Sequence, residues 1–130
     1  MQPNNELSKY RLEQAERCLK SAKTLLKDED YKGSANRSYY CVFHCMRSVL
    51  ALADIDFKSH SALMAHFRKE YVKTGIFNVQ LSDILTSLFR VRTDSDYDDY
   101  YVINKDEVNV QIENAEYFFG QVKAYLENKN

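Results

Sequence analysis

The stretch that decides the fold is SANRSYYCVFHCMRSVL, residues 34–50. Small and apolar side chains recur in it at three- and four-residue intervals, at positions 35, 38, 42, 45, 46, 49 and 50. This period is that of an α-helix with one buried face. A second, more polar stripe carries Arg37, Tyr40, Cys41, His44 and then Arg47 or Ser48. The stretch therefore predicts one long, largely buried helix at the centre of the protein.

Arg37 and His44 on this helix suggest a chemistry. Seven residues are almost two helical turns, so both side chains project in nearly the same direction, about 10 Å apart along the axis. A guanidinium can hold a phosphate, and an imidazole can move a proton near neutral pH. The pair is therefore a candidate for phosphate binding or RNA cleavage. The alternative is structural: Arg37 forms an ion pair with a later acidic loop, and His44 forms a hydrogen bond inside the bundle.

Length and composition favour one all-α domain that spans residues 1–130. Three Gly and one Pro are too few for the turns of a sheet protein. Charged residues make up 28% of the chain and its net charge is −1, so any nucleic-acid contact must come from a local patch. The chain contains no run of 18 apolar residues and no signal-peptide pattern. We therefore expect a cytoplasmic protein with no membrane contact.

Hydrophobic periodicity along the whole chain predicts five helices, of which the first two should be antiparallel neighbours because their connection is short. The first covers residues 5–27, and Gly33 relieves the backbone at the turn that follows. The fourth runs to about residue 92 and gives way to an acidic, aromatic loop at 93–101. Helix limits are predicted at Ala53, at the N-caps Ser59 and Asn78, at Gly75, and at the capping box of Asn104 and Glu107.

Other polar side chains leave alternatives open. Arg90, Arg92, Asp94, Asp96 and Tyr97 either build a polar cleft or stabilise the end of the fourth helix through ion pairs. His60, near the start of the third helix, could face the same cleft as Arg37. The paired tyrosines either stack on bases or complete a core or dimer contact.

The metal patterns are incomplete. Asp94, Asp96 and Asp98 have calcium-loop spacing, but the sixth and twelfth positions are Asp99 and Lys105 in place of Gly and Glu. Cys41, His44 and Cys45 share one helical turn and lack a fourth zinc ligand. We predict no metal site and no cofactor, and cysteines 18, 41 and 45 as reduced, buried thiols.

Two motifs resemble those of the HEPN domain family, over nearly the whole chain. They are NRSYYCVFH at residues 36–44, of the form NRxYYxxFH, and RTDSDY at residues 92–97, of the form RxxxDY. The resemblance implies an up-and-down helical bundle with a four-helix core, which commonly dimerises. It also implies a toxin–antitoxin module in which the partner is a minimal nucleotidyltransferase.

Catalytically competent HEPN proteins are metal-independent endoribonucleases with an Arg, four to six residues and a His near the start of a late helix. This chain has no His after Arg92, so that late motif is absent. Arg37 and His44 have the spacing but lie in the second helix. Whether the chain is an enzyme therefore stays open.

The combined prediction is a homodimeric HEPN component of a two-protein module that binds a nucleotide or RNA phosphate in a polar groove. The residues expected to bind are Arg37, Tyr40, His44, His60, Arg92, Asp96 and Tyr97. The alternatives are an endoribonuclease with Arg37 and His44 as catalytic residues, and a non-catalytic scaffold in which the same side chains are internal ion pairs.

Overall fold

A computed structural model describes residues 3–129, with side chains from residue 5 onward. This range contains five α-helices and no strand, which confirms the predicted all-α fold. The helices are α1 Pro3–Lys27, α2 Tyr31–Ala51, α3 His60–Phe67, α4 Gln80–Tyr97 and α5 Lys105–Lys129. A π-helical segment at Arg68–Val72 continues α3. No helix of the described range is long and apolar enough for a membrane span.

Hydrogen bonds between α1 and α2 show that these helices are antiparallel. Ser8 Oγ donates to the Ser48 carbonyl oxygen at 2.7 Å, and Ser34 Oγ donates to the Ala22 carbonyl oxygen at 2.6 Å. The start of α1 therefore faces the end of α2, and the end of α1 faces the start of α2. Both donors are buried hydroxyls, so each bond also satisfies a polar group inside the bundle.

Hydrogen bonds also show how α4 and α5 are oriented. Asn78 Nδ2, just before α4, donates to the Tyr117 hydroxyl at 2.8 Å, while Gln111 Nε2 donates to Ser87 Oγ at 3.2 Å. Later positions of α4 thus face earlier positions of α5. These two helices are also antiparallel.

Contacts between α1 and α5 complete the topology. One cavity is lined by residues from 5–12 and from 123–127, and Lys23 Nζ lies 3.2 Å from Glu116 Oε2. The helices α1, α2, α4 and α5 therefore alternate in direction and form an up-and-down four-helix core. The shorter α3 packs against α2.

The central position of α2 explains its composition. All seven residues of its predicted apolar stripe are buried. Cys41 and Ser48 of the more polar stripe are buried too, whereas Arg37, Tyr40 and His44 are half-buried. The three cysteines are buried free thiols, and burial raises the pKa of Cys45. α2 thus contacts neighbouring helices on most of its circumference and leaves one polar strip near the surface.

The turn before α2 differs from the prediction. Glu29, with φ 62°, is the residue in the left-handed conformation, and Gly33 lies inside the first turn of α2. The Gly33 amide donates to Asp30 Oδ1 at 3.0 Å, and a Cβ at Gly33 would lie 2.5 Å from Asp30 Oδ2. Gly33 therefore makes room for the Asp30 cap instead of relieving the turn. α2 begins at Tyr31 and ends at Ala51, two residues before the predicted limit at Ala53.

The predicted end of α4 is wrong by five residues. The helix continues through the acidic segment to Tyr97, where the Asp98 amide still donates to the Asp94 carbonyl oxygen at 3.0 Å. An ion pair between Arg92 and Asp96, one turn apart, stabilises this last part. The predicted caps at Ser59 and Asn104 each accept a backbone N–H bond from three residues ahead. The predicted cap at Asn78 is one residue early, because Val79 is the cap residue of α4, although Asn78 Oδ1 accepts the Gln80 amide at 2.9 Å.

Candidate functional site

An aromatic cluster lies where the middle of α2 meets the start of α3. The His60 ring stacks on Tyr39, with ring centroids 5.7 Å apart and 17° between the planes. His60 also lies 4.4 Å from the Phe43 ring centroid and edge-on to Tyr40. The Tyr39 hydroxyl and His60 Nδ1 share a hydrogen bond of 2.6 Å. Helical spacing left the neighbours of His60 open, and the structure places it beside Tyr40.

Arg92 of α4 covers this cluster. Its guanidinium carbon lies 5.4 Å from the Tyr39 ring centroid and 5.6 Å from that of Tyr40, and Nη2 donates to the Tyr40 hydroxyl at 3.3 Å. Arg92 Nε is 3.0 Å from Asp96 Oδ2, but it is buried and makes no hydrogen bond, so this contact is an ion pair only. Burial, and secondarily the charge of Arg92, lowers the pKa of His60.

Arg37 approaches Tyr40 as well. Its guanidinium carbon lies 5.3 Å from the Tyr40 ring centroid, and Nη2 donates to Asn36 Oδ1 at 3.1 Å. Nη1 has only a weak contact with Cys18 Sγ at 3.9 Å. No carboxylate in the described part of the chain forms an ion pair with Arg37. The ion pair with the acidic loop, required by the structural alternative, is therefore not formed within this protomer.

His44 lies in a positively charged environment. Burial lowers the pKa of His44, and the charges of Arg47, Arg37 and Arg11 lower it further. Its Nδ1 atom is buried without a hydrogen-bond partner, so the internal bond of the structural alternative is not made at this atom. The lowered pKa favours a neutral imidazole at neutral pH.

Asp56 joins two arginines near His44, an arrangement that sequence reasoning missed. Arg47 Nη2 lies 2.8 Å from Asp56 Oδ2, and Arg11 Nη2 lies 3.3 Å from the same oxygen. The hydrogen bond from Arg47 is the main cause that lowers the pKa of Asp56. The sequence did indicate that Arg47 lies near His44, because it follows His44 by about one helical turn. Nothing in the sequence indicated that Asp56 or Arg11 would lie beside it.

Not every predicted site residue lies beside Arg37, Tyr40 and Arg92. Tyr97 is 83% exposed at the end of α4 and is not part of the aromatic cluster. Asp96 reaches the site through its ion pair with Arg92. We call Arg37, Tyr40, His44 and Arg92 the arginine–tyrosine surface. Five surface cavities of the protomer are all lined by other residues.

In the described range, no group of three or more His, Cys, Asp or Glu side chains is arranged to hold a metal ion. The chemistry open to the arginine–tyrosine surface is that of cations, a phenol ring and a neutral imidazole. Such a surface can hold phosphate oxygens.

Comparisons with known proteins agree with this architecture. A family model described as the HEPN domain matches residues 8–125, which include the whole arginine–tyrosine surface. A Thermotoga maritima protein named "UPF0332 protein" is 30% identical over 128 residues, which cover 98% of this chain and 97% of the relative.

Two relatives come from Methanocaldococcus jannaschii. The one named "Putative toxin MJ0142" is 32% identical over 125 residues, which cover 96% of this chain and 84% of the relative. The one named "Putative toxin MJ0605" is 26% identical over 115 residues, which cover 88% of this chain and 85% of the relative.

Proposed function

The chain belongs to the HEPN family, and we propose that it is the HEPN component of a cytoplasmic toxin–antitoxin module that binds RNA phosphate as a homodimer. The names of the two archaeal relatives support the toxin-like role. The arginine–tyrosine surface supports the choice of ligand.

One observation carries the proposal: two guanidinium groups lie within 6 Å of the same tyrosine ring, and one of them has no carboxylate partner. Arg37 and Arg92 approach the Tyr40 ring centroid at 5.3 Å and 5.6 Å. An arginine that is buried only to stabilise the fold is usually paired with an acid. Arg37 is half-buried and has no such partner, so its charge stays available, and the contact with the Tyr40 ring holds its guanidinium in place.

RNA fits this surface better than an enclosed small molecule does. The surface does not coincide with any of the five cavities, so a bound group would lie along it. A polymer can place neighbouring phosphates on Arg37 and Arg92 at the same time. His60 and Asp96 then act as supports, His60 through Tyr39 and Tyr40, and Asp96 through Arg92.

Fluorescence anisotropy with a short, labelled single-stranded RNA tests the binding role. Arg37→Ala is expected to raise the dissociation constant about tenfold or more, since a charge-assisted hydrogen bond contributes about 1.5–3 kcal/mol. It should also lower the slope of log affinity against log salt concentration by about 1. Arg17→Ala is the matched control because Arg17 is an exposed arginine on α1. Equal weakening by both variants would contradict the proposed site.

The partner proposed for the module is a minimal nucleotidyltransferase, as the resemblance implies. Co-expression of the chain with a small nucleotidyltransferase from an adjacent reading frame should yield one complex in size-exclusion chromatography. Separate elution of the two proteins would reject this partner and leave the RNA-binding proposal intact.

A second candidate function is endoribonuclease activity with Arg37 and His44. The observation that favours it is the lowered pKa of His44, because a neutral imidazole can accept a proton at neutral pH. Incubation with labelled RNA in EDTA should then produce fragments with the wild type and none with His44→Gln, while both bind RNA. Cleavage at an unchanged rate by His44→Gln would exclude this mechanism.

A further inference from the structure

A groove with four cationic side chains runs between α4 and the α3–π segment, and none of the residues of the arginine–tyrosine surface lines it. Two adjoining cavities of about 640 Å³ and 430 Å³ form it, and both are lined by Ala65 and Arg68. Lys69 and Lys73 line the larger cavity, and Arg90 lines the smaller one. No carboxylate lines either cavity.

Arg68 is held in this groove by neutral groups only. Its Nε donates to Ser82 Oγ at 2.9 Å, and its Nη2 donates to Thr86 Oγ1 at 2.7 Å. None of the four cations forms an ion pair within residues 3–129. Between these charges the walls are apolar, with Val72 and the 67% exposed Val79. The groove therefore suits an occupant that is both acidic and apolar.

The end of α4 and the loop after it have that chemistry. Asp94, Asp96, Asp98 and Asp99 fall within six residues, and of these only Asp96 forms an ion pair in the described chain. Tyr97, between these aspartates, is 83% exposed, and Tyr100, directly after them, is 92% exposed. We call residues 94–100 the acidic aromatic segment.

α4 connects the groove to the acidic aromatic segment, whose residues 94–97 form the end of the helix and whose residues 98–100 follow it. Val79, Ser82, Thr86 and Arg90 line the groove at three- and four-residue intervals, and the stripe continues to Tyr97. The 18 residues of α4 span about 27 Å. The cations lie beside the first part of this stripe, three of them from residues 68–73 and one, Arg90, from α4 itself, whereas the acidic residues lie at its end. Two copies placed end for end would therefore bring opposite charges together.

We infer that the groove is the docking surface for a second copy of this chain, whose acidic aromatic segment it receives. A two-fold axis near the middle of α4 would pair two antiparallel α4 helices. Each acidic aromatic segment would then enter the groove of the other protomer, so that both contacts form at once. Such an isologous arrangement closes as a dimer without leaving either surface unused.

Apolar complementarity favours protein over nucleic acid as the occupant. A phosphate backbone would satisfy the cations but would leave Val72 and Val79 without an apolar partner. The segment's exposed tyrosines, by contrast, are of the residue type enriched in protein interfaces. This inference rests on the homodimer of the proposed function, and it identifies the surface through which the two protomers would contact each other.

Charge reversal with rescue tests the assignment. The groove variant carries Lys69→Glu and Lys73→Glu, and the segment variant carries Asp98→Lys and Asp99→Lys. Sedimentation equilibrium of the full chain should show a dimer for the wild type and a dissociation constant at least about 100-fold higher for each variant alone. Mixing the two variants should restore dimers, because in the mixed dimer both contacts again join opposite charges.

The outcomes are distinct. The control variant, Lys20→Glu with Lys58→Glu, has the same change of net charge at exposed positions outside the groove and should dimerise like the wild type. A monomeric wild type, dimeric single variants, or a mixture that stays monomeric would each overturn the inference. Failure here is distinguishable from failure of RNA binding, because neither variant alters the arginine–tyrosine surface and the anisotropy titration reads that surface separately.

Discussion

Replacing Arg37 with Ala should lower the free energy of unfolding by only about 1–2 kcal/mol. The cation–π contact with Tyr40 contributes about 0.5–1 kcal/mol, and the hydrogen bond to Asn36 contributes about 0.5–1.5 kcal/mol. These terms are small because Arg37 has no carboxylate partner in the described chain.

The scaffold interpretation predicts a different magnitude. Removal of one partner from a buried ion pair costs about 3–5 kcal/mol, because an uncompensated charge stays behind. Urea denaturation followed by circular dichroism separates the two ranges, provided that the slope of free energy against urea is unchanged.

Two further variants test these two ranges of the loss in unfolding free energy. Arg47→Ala leaves Asp56 with only the longer contact to Arg11, and it reports what a partly exposed ion pair contributes here. Arg37→Lys keeps the charge and loses the planar guanidinium. A loss above about 3 kcal/mol for Arg37→Ala, with RNA affinity unchanged relative to Arg17→Ala, would refute both the energetic reasoning and the binding site.

Tyr39→Phe should lower the free energy of unfolding by about 1 kcal/mol in urea denaturation, since it removes the 2.6 Å hydrogen bond to His60 Nδ1. The free energy of unfolding should fall as the pH drops from 7 towards 5. Folding lowers the pKa of His44 below 6.5, so the unfolded chain binds the proton more readily. Melting temperatures across this pH range measure the dependence, which should be weaker in His44→Gln than in the wild type. Gly33→Ala should be nearly neutral in thermal denaturation, because loss of the Asp30 cap costs about 1 kcal/mol and a better helix former returns up to about that amount.

Each of these expectations has its own control. Tyr10→Phe, at an exposed tyrosine, should leave stability unchanged. An equally steep pH dependence in His44→Gln would assign the loss to other groups, of which His60 is the next to examine. In a chain that already carries Asp30→Ala, Gly33→Ala should stabilise, because the cap can no longer be displaced. Destabilisation in that background would show that the Cβ meets a different obstacle.

Spacing along the chain predicted the buried faces of the helices and most of their beginnings. The apolar stripe of α2 is buried as its three- and four-residue period predicts. The caps at Ser59 and Asn104 begin helices where their side chains can accept backbone N–H groups. Periodicity failed at the end of α4, where the acidic residues of 94–97 resemble a loop in composition. There the Arg92–Asp96 ion pair supports a final helical turn.

The sequence by itself determined the helices, their buried faces and the placement of Arg37 and His44 on one helix, because a helix relates its own residues by a constant rotation and rise. Only the tertiary structure decided that Arg92 covers Tyr40, that His60 stacks on Tyr39 and that Asp56 joins Arg11 to Arg47. Each of these contacts joins different helices or a loop and a helix. Their geometry depends on how far each helix is shifted and rotated against its neighbour, and side-chain packing across the whole core sets those two quantities.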